Sequence, residues 1–199
     1  MALATAVFFS GLCGCDHQRL VGASGSLEER LPAESPSFAP EVDTILRRKL
    51  ETLKSLASDP AVVQAVQEGN RKSGPLTFKT IRELDEQWQN APVDSPLVEP
   101  LLTNRCAQAL RAFQEQHNGF AEIFVTDQAG LVVGATNKTS DYYQADEVWW
   151  QLTFADGRGK ARYGGIEYDQ SAQSESVSLS VPVRDLQTQQ IIGVLKAVF

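Results

Sequence analysis

The chain has 199 residues, 42% of them hydrophobic, enough to bury one sizeable core but not two independent ones. Its formal charge of -7, from 18 Lys and Arg against 25 Asp and Glu, excludes a nucleic-acid groove, because phosphate binding needs clustered cations. Two of the three cysteines, Cys13 and Cys15, fall in the apolar N-terminal stretch, so the globular part holds one thiol and no internal disulfide.

Residues Ala2 to Leu12 are uncharged and mostly apolar, a run far short of the roughly 20 residues that a membrane-spanning helix needs. The stretch 1–15 is therefore read as a signal peptide. It ends in Leu12-Cys13-Gly14-Cys15, which resembles the bacterial lipobox, and that resemblance implies cleavage before Cys15 and lipidation of Cys15. Asp16 resembles an inner-membrane retention signal, which would place the protein on the periplasmic side of the inner membrane as a lipoprotein. An ordinary secretory signal is the alternative. Residues 16–40 are rich in Ser, Gly, Ala, Glu and Pro without apolar periodicity and read as a flexible tether. The domain proper is expected over 41–199.

Val42, Ile45, Leu46, Leu50, Leu53, Leu56 and Ala57 recur three and four apart, which predicts a long amphipathic helix starting near Pro40. Ser58-Asp59-Pro60 supplies a cap and a first-turn proline for a second helix, expected to close at Gly69. A third helix is predicted from about Thr77 to Asn90, with Phe78, Ile81, Leu84 and Trp88 inward and Pro92 beyond its end. A fourth is predicted from about Pro96 to His117, with Leu101, Leu102, Cys106, Leu110 and Phe113 inward and Asn118-Gly119 as its stop. Cys106 at that spacing reads as a small buried hydrophobe rather than a reactive thiol. His117 suits the negative end of the helix dipole better than a metal.

After Gly119 the period changes to that of strands. Glu122 to Thr126 and Leu131 to Ala135 flank the turn Asp127-Gln128-Ala129-Gly130; Ser176 to Val183 and Gln190 to Phe199 flank a second turn over Arg184 to Gln189. Gly157, Gly159, Gly164 and Gly165 lack Walker spacing and read as turn residues. The expected fold class is α+β, a helical N-terminal half followed by an antiparallel sheet of four to five strands.

Phe124-Val125-Thr126-Asp127 with Gly130, the segment Asp141 to Trp150 (DYYQADEVWW), Tyr168-Asp169, Val181-Pro182-Val183 and Ile192-Gly193-Val194-Leu195 resemble the Cache domains, also called PDC sensors. The resemblance covers about Val42 to Phe199. It implies a single Cache domain in which a long helix leads into a PAS-like sheet, with a small organic ligand held between the sheet and the loops and short helix that cross it. It also implies an extracytoplasmic sensor that signals through a membrane or partner module.

The ligand-binding candidates are Tyr142, Tyr143, Asp146, Glu147, Trp149, Trp150, Tyr163 and Asp169. Tyr142, Tyr143, Trp149 and Trp150 set aromatic faces beside acids, an arrangement suited to an organic ligand and to a cation in particular. The plainer reading makes the tryptophans core anchors and the acids helix caps. Amino-acid-binding members of the family carry Arg where Glu147 stands, and Tyr where Trp150 stands. The exchange of Arg for Glu removes a carboxylate partner and favours a cationic or neutral ligand, unless Glu147 pairs with Arg158 or Arg162. Asp169 resembles the family position that meets ligand amines.

No nucleophile–base pair, paired carboxylates in a cleft or metal cluster is evident, so an enzyme is not expected, nor is a cofactor or a metal. A solute-binding or interaction lipoprotein without a signalling role is the alternative to a sensor.

Overall fold

The computed structural model describes residues 36–169 and 174–199, all within one compact unit. The signal peptide, Cys15 and the tether up to residue 35 lie outside the described residues. Five helices precede the sheet and a sixth interrupts it: α1 (Pro40–Ala57), α2 (Pro60–Ser73), α3 (Phe78–Asn90), α4 (Glu99–Thr103), α5 (Arg105–Gln116), then β1 (Glu122–Asp127), β2 (Val132–Ala135), α6 (Val148–Phe154), β3 (Arg162–Asp169), β4 (Ser174–Arg184) and β5 (Ile191–Val198). The fold is α+β with a five-stranded, wholly antiparallel, PAS-like sheet in the order β2-β1-β5-β4-β3. Among the described residues no helix is long and apolar enough to cross a membrane.

The helices form where the sequence supplies both a stripe and a start. Asp59 accepts the Ala61 N–H at 2.7 Å and Pro60 opens α2 without losing a donor. Thr77 caps α3 in the same way through Thr80 N. On α1, Leu46, Leu50, Leu53, Leu56 and Ala57 are buried, each leucine contributing roughly 1.5–3 kcal/mol by leaving water. Val42 and Ile45, expected in the same stripe, are exposed (Ile45 at 48%). Phe78, also expected inward, is 64% exposed at the first turn of α3.

Two helix boundaries differ from expectation. Helix α2 continues past Gly69 to Ser73, because Gly69 serves close packing rather than termination: a Cβ there would come within 2.4 Å of Val133 Cγ1 and 3.1 Å of Asp127 Cβ. The expected fourth helix is broken at Asn104, whose backbone is extended (φ -64°, ψ 172°). Its side chain accepts from Ala107 N at 2.8 Å, capping α5, while its amide donates to Val133 O at 2.9 Å. The break costs one turn of helix and gains a tie between the helices and β2.

Alternation divides the sheet into two faces. Ile123, Val125, Val177, Leu179, Val181, Leu195 and Ala197 share the main core with α1, α2 and α5. Their strand neighbours Phe124, Thr126, Ser178, Ser180 and Lys196 belong to the opposite face by the period-2 rule. Pro182 sits in β4 beyond Ser180, the last residue that β3 pairs on that side, so its missing N–H leaves no gap in the β3 ladder. Gly164 and Gly165, expected in a turn, lie inside β3, where the register shifts between Tyr163 and Ile166; a bulge is where a strand tolerates such a pair.

The β1–β2 turn follows from Asp127 and Gly130. Asp127 Oδ1 accepts from Ala129 N (2.9 Å) and Leu131 N (3.0 Å), and Gly130 takes φ +81°, which a side chain would resist. From β2 at one edge the chain crosses the second sheet face as the strap 136–147 and then α6, to reach β3 at the other edge. That crossing positions the site.

Candidate functional site

Helix α6 is fixed over the sheet by two side-chain hydrogen bonds. The Trp150 indole N–H donates to Thr126 Oγ1 on β1 at 2.8 Å, and the hydroxyls of Thr153 and Ser180 on β4 lie 2.7 Å apart. Both bonds are buried, where a lost partner costs about 1–3 kcal/mol. Between α6 and strands β3, β4 and β5 lies a cavity of about 530 Å³, a size suited to a small organic molecule.

Lys196 of β5 is its most distinctive lining residue. Its ammonium lies 4.5 Å from the Trp149 ring centroid and 5.9 Å from that of Phe124, and the two rings meet edge to face at 5.8 Å. Burial lowers the pKa of Lys196 below the usual lysine value, while the carboxylates of Glu167, Glu147 and Glu122 act against that fall. Arg162, half-buried on β3, also lines the cavity, and burial lowers its pKa too. Glu147 and Glu167 add two exposed carboxylates, and Ser178 and Ser180 two hydroxyls from β4. The cavity thus presents cations and carboxylates together, with an indole wall.

Of the sequence candidates, Glu147, Trp149 and Tyr163 line this cavity. Tyr163 is buried on the helical side of the sheet and its hydroxyl donates to the Asp43 carboxylate of α1, which raises the phenol pKa. Its ring also packs on Phe38 at 5.8 Å, and Pro36 lines the cavity, so the last residues of the stretch read as a tether rest against the domain. Trp150 is buried, with its indole stacked on Phe154 at 4.8 Å. Tyr142 stacks on Trp88 at 5.3 Å and Tyr143 meets Phe78 edge to face at 6.0 Å, both away from the cavity lining. Asp146 is exposed with Arg82 at 3.8 Å. Asp169 closes β3 opposite Ser174.

Sequence reasoning missed two residues. Lys196 was legible as the single charge in the apolar run Ile191 to Phe199, but the helix that covers it, α6, was not. Asp85 on α3 reads as one more acid on a polar helix face; it is buried, and its Oδ1 accepts the backbone N–H groups of Tyr142 (2.8 Å) and Tyr143 (3.0 Å). It thereby fixes the start of the segment that leads into α6. Among the described residues, no three His, Cys, Asp or Glu side chains converge as a metal site requires.

No protein-family model matches the chain, and no curated protein sequence does. Among solved structures it is similar to the sensory domain of the Campylobacter jejuni chemoreceptor Tlp3 with isoleucine bound, at 18% identity over 82% of this chain and 64% of that one, with a TM-score of 0.40. It is also similar to the ligand-binding domain of the Pseudomonas aeruginosa amino acid chemoreceptor PctC in complex with GABA, at 14% identity over 70% of this chain and 57% of that one, TM-score 0.39. A third is an extracellular ligand binding receptor from Desulfohalobium retbaense, at 15% identity over 68% of this chain and 23% of that one, TM-score 0.35. The chain spans less than two thirds of the length of each.

Proposed function

We propose that the protein is an extracytoplasmic small-molecule sensor domain of the Cache type, a binding module rather than an enzyme, which holds its ligand in the cavity under α6. The carrying observation is the Lys196 ammonium set against Trp149 within a cavity that also holds Arg162, Glu147 and Glu167. Glu147 by itself favours a cationic or neutral ligand. With two cations in the lining and the Trp149 face already occupied by Lys196, the charge balance favours a ligand that brings an acidic group to Lys196 and an amine or hydroxyl to the glutamates.

Signalling requires the ligand to prefer one arrangement of the domain over another. Tyr163 supplies a route, since it borders the cavity and hydrogen-bonds Asp43 on α1, the helix that follows the tether. In this reading Cys15 carries the lipid that anchors the tether to the inner membrane, and the output lies in a membrane or partner module.

The test is a thermal-shift series on the purified protein with amino acids, carboxylates, amines and sugars, repeated on Lys196→Met. A native-state ligand raises the melting temperature with concentration. Shifts from carboxylate-bearing compounds that vanish in Lys196→Met support the proposal. Shifts from amines alone would return the site to a cation-binding role built on Glu147, and silence throughout would favour an interaction lipoprotein.

A further inference from the structure

The cavity under α6 has a floor and a roof of different chemistry. In the sheet, Ser180 of β4 pairs with Lys196 of β5 on one side and with Arg162 of β3 on the other, so the two cations stand in one row with a hydroxyl between them. At the usual strand spacing their Cα atoms are about 10 Å apart. Ser178, half-buried two residues along β4, adds a hydroxyl that Gly164 leaves uncovered, since a Cβ at Gly164 would lie 2.7 Å from its Oγ. The roof is α6, which presents Val148, Trp149 and Leu152.

Lys196 is the least satisfied of these groups. Its ammonium carries three donors, yet it meets the rings of Trp149 and Phe124 and, among the described residues, has no ion pair or hydrogen bond. Glu147, at the start of α6, and Glu167, on β3, act on that ammonium without bonding to it. A carboxylate on the ligand supplies the missing partner. The two glutamates and Ser178 then face the rest of the ligand from three separate elements. An ammonium group, concentrated on a single atom, serves one of them. Hydroxyls spread around a ring serve all three, and the C–H face of such a ring suits the apolar roof.

We infer that the cavity under α6 takes a sugar acid, a carboxylate on a polyhydroxylated ring of uronic-acid size, with the carboxylate on Lys196 and the hydroxyls on Glu147, Glu167 and Ser178. The inference rests on the reading of this cavity as the ligand site, and takes the hydroxyl over the amine as the partner of the glutamates. A volume of about 530 Å³ holds one such ring with bridging water.

The probes are D-glucuronate and D-galacturonate, with D-glucose lacking the acid, cyclohexanecarboxylate lacking the hydroxyls, and isoleucine carrying an acid and an ammonium. Binding to the full chain is followed by protein NMR shift changes, in the parent, in Ser178→Ala, in Glu167→Gln and in Lys196→Met. At least one uronate should bind saturably with shifts centred on α6, β4 and β5. D-glucose and cyclohexanecarboxylate should bind at least tenfold more weakly, because a site built to hydrogen-bond a ligand rejects the analogue that leaves its polar groups unpaired. Ser178→Ala and Glu167→Gln should each weaken the uronate about tenfold, the usual effect of one hydrogen bond, and leave cyclohexanecarboxylate unchanged. Lys196→Met should abolish uronate binding. Saturable binding of isoleucine at α6, with neither uronate bound, would overturn the sugar acid while leaving the site in place. Equal binding of cyclohexanecarboxylate and the uronates would overturn the role of the hydroxyls. No shifts at α6 from any probe, in a chain with a dispersed native spectrum, would overturn the reading of the cavity itself and this inference with it.

Discussion

Lys196 on β5 and Trp149 on α6 meet in the cavity under α6, the ammonium 4.5 Å from the indole centroid. The pair separates charge from packing as contributors to the site. Lys196→Met keeps the stem length and hydrophobic contact, so its urea midpoint should stay within about 1 kcal/mol of the parent while carboxylate binding is lost. Trp149→Ala removes the wall itself and its contact with Phe124, and should cost about 2–3 kcal/mol as well as the binding. Equal destabilisation by the two variants would show that Lys196 acts as a structural residue.

Asp85 organises the strap leading into α6. Its Oδ1 accepts two backbone N–H groups, and its Oδ2 lies 3.2 Å from Gln89 Nε2 and 3.7 Å from Arg82. Asp85→Ala leaves the Tyr142 and Tyr143 N–H groups without this acceptor and should destabilise by about 2–4 kcal/mol in urea melts. Asp85→Asn keeps an acceptor for both and should cost markedly less. Hydrogen exchange offers a local check: the amides of Tyr142 and Tyr143 should lose protection in Asp85→Ala beyond the global loss.

Cys106 should be chemically silent in the native state. Its side chain is packed under Gly134, where an added Cβ would lie 2.7 Å from Sγ, and burial pushes the thiol pKa up to about 12. At pH 8 a disulfide reagent should label it only as fast as the protein opens, and completely in denaturant. Labelling within seconds under native conditions would contradict the packing at α5 and β2.

Asp185 gives the fold an acid-sensitive tie. Its carboxylate accepts from Thr188 N (2.8 Å), Gln67 Nε2 (2.7 Å) and Gln187 N (3.0 Å), which lower its pKa to about 2. A folded-state pKa below the unfolded value stabilises above the unfolded pKa near 4, and that contribution fades as pH falls through the folded value near 2. The gap in melting temperature between the parent and Asp185→Asn should therefore be full at pH 6 and close between pH 4 and 2. A gap independent of pH would assign the effect to packing.

The sequence by itself determined the class of fold and most of its punctuation. Asp59-Pro60, Thr77 and Asp127 with Gly130 start or turn their elements through atoms one to four residues away, and the change from a 3.6 to a 2.0 period after Gly119 separates helices from strands. These interactions are local, so a single chain read in order displays them. What only the tertiary structure decided depends on partners far along the chain. Asn104 breaks a continuous helical pattern because Val133 O, 29 residues on, takes its amide, and Gly69 sits inside a helix because Val133 presses on it. The site follows the same division: the aromatic and acidic segment 141–150 is visible as a cluster, yet the fold disperses it. Trp149 and Glu147 face one cavity and Tyr142 lines another, while Trp150 enters the core. Sheet register then brings Lys196 beneath Trp149, because β5 inserts between β1 and β4 and every second residue of it faces α6. Spacing along the chain fixes which side of an element a residue occupies; only the packing of elements decides which residue it meets there.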